Sequence, residues 1–158
     1  MKLARVIRLD ESDAEVFDEA AEPGEWAIPG TFAFSNWTED DMTGANAEAF
    51  RHGWLGLTSF ARASIVAVAE ITDDERAALI DILAFHFTEA WGAPNRDAAL
   101  PVAEEEIQQM ATLCADQPDN TLIVVERELT DAGVKDRFRL IPPKDAALDT
   151  FAVHGDME

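Results

Sequence analysis

Apolar positions change their period along the chain, and each change marks an element. Residues 2 to 9 read as a strand: Val6, Ile7 and Leu9 are strand formers, while Lys2, Arg5 and Arg8 can point outward. The following stretch, Glu11 to Ala21, is acidic, and its one apolar pair, Val16-Phe17, suggests a second short strand. Two Pro-Gly dipeptides, at 23–24 and 29–30, then bracket Glu25-Trp26-Ala27-Ile28. Proline presets the first central position of a type II turn, and glycine supplies the positive φ that follows. Phe32 and Phe34 lie two residues apart and are expected on one face of a strand. Ser35 to Thr43 reads as an acidic loop. Ala45 to His52 reads as a short helix, with Gly53 placed for a left-handed cap.

The β-branched run within Leu57–Ile71 predicts a central strand. Thr72-Asp73-Asp74-Glu75 is a capping box, in which hydroxyl and carboxylate each satisfy a free backbone N–H. Ile80, Leu83, Phe87 and Ala90 follow it at helical spacing, so a helix is predicted over 73–91, stopped by Gly92-Ala93-Pro94. A second helix is predicted over 99–116 on the stripe Leu100, Ala103, Ile107, Met110 and Cys114. Pro101 is tolerable there in the first turn, which would put Glu104–Glu106 early in the helix. Thr121–Glu128 and Val134–Ile141 read as a hairpin through Thr130-Asp131-Ala132-Gly133. One of its faces carries Lys135, Arg137 and Arg139, the other Val134, Phe138 and Leu140. The order predicts an α+β fold: a mostly antiparallel sheet with a long helical hairpin on one face and one short helix. Residues 1–143 are expected to form a single domain, and 144–158, after Pro142-Pro143, a loose tail.

Composition sharpens this picture through charge. The chain has 158 residues, 47% of them apolar, so it can bury a core. It carries 32 Asp+Glu against 12 Lys+Arg, a formal charge of -20. Between Leu9 and Phe50 there are twelve acidic residues and no lysine or arginine, together with Trp26, Phe32, Phe34 and Trp37. Nucleic-acid binding relies on cations that displace condensed counterions, so no nucleic-acid partner is expected. Anionic membrane surfaces are disfavoured for the same reason, and the longest apolar run is too short to span a bilayer. The N-terminus is charged at positions 2, 5 and 8 and is not read as a signal peptide. A single cysteine, Cys114, fits a reducing cytoplasm.

The candidate chemistry is sparse. Trp26, Phe32, Phe34 and Trp37 can line a groove for an apolar or cationic ligand, or simply pack and anchor turns. His52 can act as a general base or ligand, or complement the dipole at a helix C-terminus. His86-Phe87-Thr88-Glu89 resembles half of a carboxylate–histidine metal site, but lacks the second half and reads better as a core or boundary histidine. His154 lies in the expected tail and carries no argument. Cys114 lies at an apolar helix position and reads as inert. Asp10-Glu11-Ser12-Asp13 and Glu39-Asp40-Asp41 lack the glycine and distal glutamate of a calcium loop. Phosphate-cradling glycine motifs and serine nucleophile elbows are missing. No cofactor, metal or catalytic residue is expected.

The opening Lys2-Leu3-Ala4-Arg5-Val6-Ile7-Arg8-Leu9-Asp10-Glu11-Ser12-Asp13, the segment Ala21-Glu22-Pro23-Gly24-Glu25-Trp26-Ala27-Ile28-Pro29-Gly30, and Glu104-Glu105-Glu106-Ile107 before Leu113-Cys114 together resemble a family of small acidic bacterial proteins of unknown function. The resemblance covers most of the chain. It implies a single bacterial domain and supplies no activity.

Three functions fit these observations. The first is a non-catalytic interaction or accessory protein that binds a basic protein surface through the acidic, aromatic N-terminal third. The second is a small-ligand-binding domain or weak enzyme with a pocket near Trp26, Phe34, His52 and Trp54. The third is an assembly factor for a cofactor enzyme, using the same surface as the first.

Overall fold

The computed structural model of the chain describes residues 1–8 and 15–143. Seven antiparallel strands form one sheet in the order β4-β3-β2-β1-β5-β6-β7. They are β1 (Lys2–Val6), β2 (Trp26–Ile28), β3 (Trp54–Gly56), β4 (Arg62–Ala63), β5 (Val66–Glu70), β6 (Leu122–Thr130) and β7 (Gly133–Ile141). Three helices accompany them among the described residues: α1 (Gly44–His52), α2 (Asp73–Ala90) and α3 (Arg96–Cys114). The fold is α+β, as the order of elements predicts. The α2–α3 hairpin reaches the sheet through α3, which packs on β1 and β2, and α1 packs against β6.

The sheet curls until its ends approach. Trp54 on β3 stacks on Phe138 on β7 with centroids 5.7 Å apart, although four strands separate them in the sheet. The core lies inside this curl and under α3. Leu3, Val6, Ile28, Trp54, Val66, Val68 and Ile123 meet Leu83, Ile107, Met110 and Cys114 there. The expected stripe of α3 is buried at Ala103, Ile107, Met110 and Cys114, with Leu100 half-buried.

Several expectations need correction. The first strand is shorter than 2–9, ending at Val6, and Val16-Phe17 forms no strand, although Phe17 is buried. Thr31–Phe34 is a 3-10 turn, not a strand, entered through Gly30 in the left-handed region. Its tighter winding sends Phe32 and Phe34 to different neighbours. Gly53 does not cap α1 in a left-handed conformation, because its φ is -86°. Glycine is required there by space: a Cβ would lie 2.5 Å from the Ala49 carbonyl oxygen. Within Leu57–Ile71 the chain turns and forms two strands, β4 and β5, while β3 precedes it. Ala90, placed on the apolar stripe of α2 by its spacing, is exposed at the end of the helix. Helix α3 starts at Arg96, three residues early, because the Asn95 side chain accepts from Ala98 N–H and caps it. Pro101 therefore sits in the second turn rather than the first, and Glu104–Glu106 fall in mid-helix. The expected tail, 144–158, lies outside the described residues.

Helix α2 begins at the predicted box. Glu75 N–H donates to Thr72 Oγ1 at 3.1 Å, and Thr72 N–H donates to Glu75 Oε1 at 3.0 Å. Both partners are exposed, so the box acts locally. Thr72→Ala is expected to destabilise the fold by about 1 kcal/mol. Urea unfolding checks this: the midpoint should fall with the slope unchanged.

Candidate functional site

The β6–β7 register places the most connected polar side chain among the described residues. Inward positions alternate along β6 as Ile123, Val125 and Arg127, and the cross-strand partner of Arg127 is Asp136. The Arg127 side chain is wholly enclosed. Its Nε donates to Asp136 Oδ1 at 2.9 Å. Its Nη1 donates to the carbonyls of Phe50 at 2.6 Å and Gly53 at 3.2 Å, closing the C-terminus of α1. Its Nη2 donates to Pro29 O at 3.0 Å. Asp136 Oδ2 accepts from Thr31 Oγ1 at 2.6 Å. Beside it, Arg62 donates to the carbonyls of Pro29, Gly53 and Gly30. Both guanidiniums lie over the Phe34 ring, at 4.6 and 5.0 Å. Burial, then the Arg127 charge, lower the Arg62 pKa to about 9, which leaves it cationic at neutral pH. Burial lowers Arg127 too, while Asp136 acts the other way.

This clasp divides the predicted aromatic residues. Phe34 is buried, with Trp37 edge-on at 4.8 Å and Phe50 at 5.2 Å. Trp37 also stacks on Phe50 at 6.0 Å and remains half-buried. Phe32 turns away to α2 and its end, touching Phe87 and Trp91 at 5.0 and 5.5 Å. Trp26 is buried on β2 under the Arg5 guanidinium, 4.2 Å from the ring centre. Trp54 is fully buried, and its indole N–H has no hydrogen-bond partner among the described residues. His52 ends α1 as expected, and its Nδ1 donates to Val125 O at 3.1 Å, since a carbonyl can only accept. None of Trp26, Phe34, His52 and Trp54 lines the surface spaces bordered by Trp37, Arg51, Asp18 or Phe85.

One predicted residue does face a groove. Trp37, Glu39, Asp40, Leu129 and Asp131 line a space of about 560 Å³ between the acidic loop and the tip of the β6–β7 hairpin. An adjoining space of about 360 Å³ shares Glu39 and Leu129 and reaches Met42, Arg51 and Glu128. Among the described residues, Glu39, Asp40 and Asp131 form no ion pair. Asp41 has a structural task, accepting from Thr38 N–H at 2.8 Å.

Sequence reading missed four groups. Arg127 and Asp136 were detectable, since both sit at inward positions of alternating strands. Arg62 has no such signature. Glu25 is a buried carboxylate that accepts from the N–H groups of Glu22, Thr58 and Ser59 and from the Ser59 hydroxyl. It fixes the 57–60 turn, in which Phe60 is held at φ 57°, a conformation that costs a bulky residue of order 1 kcal/mol or more. The Phe60 ring stacks on His86 at 3.7 Å. His86 Nε2 accepts from Trp91 Nε1 at 3.0 Å, and burial lowers its pKa, so the imidazole is neutral at pH 7. Burial pushes the Cys114 thiol up to about 12, with Lys2 opposing, which makes it a poor nucleophile. Burial, Glu105 and Asp136 together raise Glu106. No described group of three or more His, Cys, Asp or Glu residues is arranged to hold a metal ion, and no described helix is long and apolar enough to cross a membrane.

The fold and groove define a small α+β domain with a curled antiparallel sheet and an acidic surface cleft. By sequence the whole chain, residues 1–158, matches the model of a family of unknown function, DUF6505, and it belongs to that family. No curated protein and no solved structure matches it.

Glu25 gives a pH test. Burial raises its pKa, but the hydrogen bonds from Ser59, Glu22 and Thr58 outweigh that and hold it below the ordinary value of 4.5. A carboxylate depressed on folding adds stability above its unfolded pKa and loses it as pH falls through the folded one. Glu25→Gln is expected to cost about 1–2 kcal/mol at neutral pH. In paired urea titrations the gap between wild type and variant should hold at pH 6–7, begin to narrow near the ordinary pKa, and close below it.

Proposed function

We propose that this protein is a non-catalytic interaction protein that takes a basic protein surface on its acidic, aromatic N-terminal third. The observation that carries the reading is the groove at Trp37. A half-buried indole, braced by Phe34 and Phe50, sits beside Glu39, Asp40 and Asp131, with no cation lining the same space. Unpaired carboxylates speed the encounter with a basic partner and fix its register. A rigid aromatic supplies the contact energy that exposed charges alone do not. The indole face also attracts lysine and arginine directly. An assembly factor for a cofactor enzyme would use the same surface. The lone, buried thiol supports a reducing, cytoplasmic setting.

Calorimetric titration with an oligoarginine peptide tests the reading at low salt. Wild type should bind, with affinity falling as salt rises. Trp37→Ala, which leaves the charge unchanged, should weaken binding roughly 10-fold or more, and Glu39→Gln with Asp40→Asn should weaken it and flatten the salt dependence. Equal affinity for all three proteins would show that the charge of the whole surface, rather than this groove, attracts the peptide.

A further inference from the structure

Helix α2 is apolar around most of its circumference. Leu79, Ile80, Leu83, Ala84 and Phe87 face the core, as its packing requires. Yet Phe85 is 66% exposed and Ile82 41% exposed on the outer side. A helix that is hydrophobic all round belongs in a buried setting, and here one face has no cover among the described residues. That face is also shaped. Ile82, Phe85, His86 and Glu89 follow one another at helical spacing and, with Phe60 and Asp81, line a depression of about 390 Å³. Its floor is rigid: the Phe60 ring lies parallel to His86 at 3.7 Å, and the half-exposed Trp91 locks the imidazole by its N–H. The chain holds Phe60 in a left-handed conformation to put its ring there, with Glu25 bonded to the turn behind it.

The rim selects the occupant. Asp81 and Glu89 border the apolar floor, and a neighbouring depression of about 330 Å³, which also contains Phe60, adds Asp18 and Glu19. Arg96 answers one of these carboxylates, Asp81, at 2.6 Å. A second copy of this chain, itself at -20, would bring the same carboxylates against this rim. The stripe runs lengthwise along α2, which suits knobs spaced i, i+3 and i+4 on another helix. We propose that the outer face of α2 docks an amphipathic helix of a partner protein, whose large apolar residues seat over Phe85, Ile82 and Phe60 and whose flanking lysines or arginines meet Asp81, Glu89, Asp18 and Glu19. This face is separate from the Trp37 groove and stands without it.

A synthetic leucine–lysine amphipathic helix, labelled for fluorescence anisotropy at near-physiological salt, is the probe. A scrambled peptide of identical composition controls for charge. Wild type should bind the amphipathic peptide at least about 10-fold more tightly than the scrambled one. Ile82→Ser with Phe85→Ser should reduce it to the scrambled level, while Val102→Ser, at an exposed apolar position on α3, leaves it unchanged. Both replaced residues are exposed, and an unchanged circular dichroism melt confirms that the double variant is folded. The proposal is overturned by equal binding of the two peptides, by wild-type affinity in the double variant, or by a matching loss in Val102→Ser. Sedimentation showing a dimer that Phe85→Ser dissociates would also overturn it, by assigning the face to a second copy.

Discussion

One guanidinium holds the curled sheet closed. Arg127 projects from β6 into the space where an open sheet would have nothing to meet. There it finds the last carbonyls of α1, the carbonyl of Pro29 after β2, and Asp136 on the neighbouring strand. Enclosing a charge is costly unless every donor is satisfied. Here the helix end contributes oxygens at the negative pole of its dipole, Asp136 contributes a full charge, and Phe34 contributes its face. Because the acceptors come from segments far apart in sequence, satisfying the arginine pulls those segments together. The approach of β3 to β7, the seating of α1 on β6, and the cluster of Phe34, Trp37 and Phe50 are all consistent with that pull.

The same economy shapes the surface. Arg5 covers Trp26, and Arg62 and Arg127 turn inward against Phe34 and backbone carbonyls. Arg62 and Arg127, cations that would temper an acidic exterior, are thus committed to the interior of a chain that has few of them. The outside is more acidic than composition suggests, most of all where Glu39, Asp40 and Asp131 face one groove without a cation in its lining. Burial of basic residues and exposure of acidic ones are two sides of one arrangement, and both favour a basic partner.

Local signals in the sequence were reliable where they acted locally. The capping box at Thr72, the stripe from Ala103 to Cys114 and the alternation of the last hairpin each specify an element with its own residues. Failures came where distant residues decided. Phe32 and Phe34 have strand spacing, yet Gly30 and the arginines that bind its carbonyl and that of Pro29 wind the segment into a 3-10 turn. Gly53 looked like a helix cap, but its role is to let the chain pass close to Ala49 and Arg62. Of the candidate site, the acidic loop and Trp37 were legible because charge and aromaticity are compositional. Their meeting with the tip of the hairpin was not, because it depends on the curl. The alternation that marked Lys135, Arg137 and Arg139 as an outer face also put Asp136 on the inner one, opposite Arg127. That cross-strand pairing is the part of the clasp that the sequence pattern contained.

The most direct test replaces the clasp by an apolar side chain of similar length and follows stability and amide exchange together. If Arg127 closes the sheet, Arg127→Met should cost about 3–5 kcal/mol in urea unfolding, since Asp136 is left without its counter-charge. Adding Asp136→Asn should recover part of that loss. Amides of the 30–37 segment and of the C-terminal turn of α1 should lose protection, while β1 and β5 keep theirs. A loss under about 0.5 kcal/mol, typical of a substitution away from any structural feature, with the protection of residues 30–37 intact, would contradict the claim that this arginine holds the curl and the groove that depends on it.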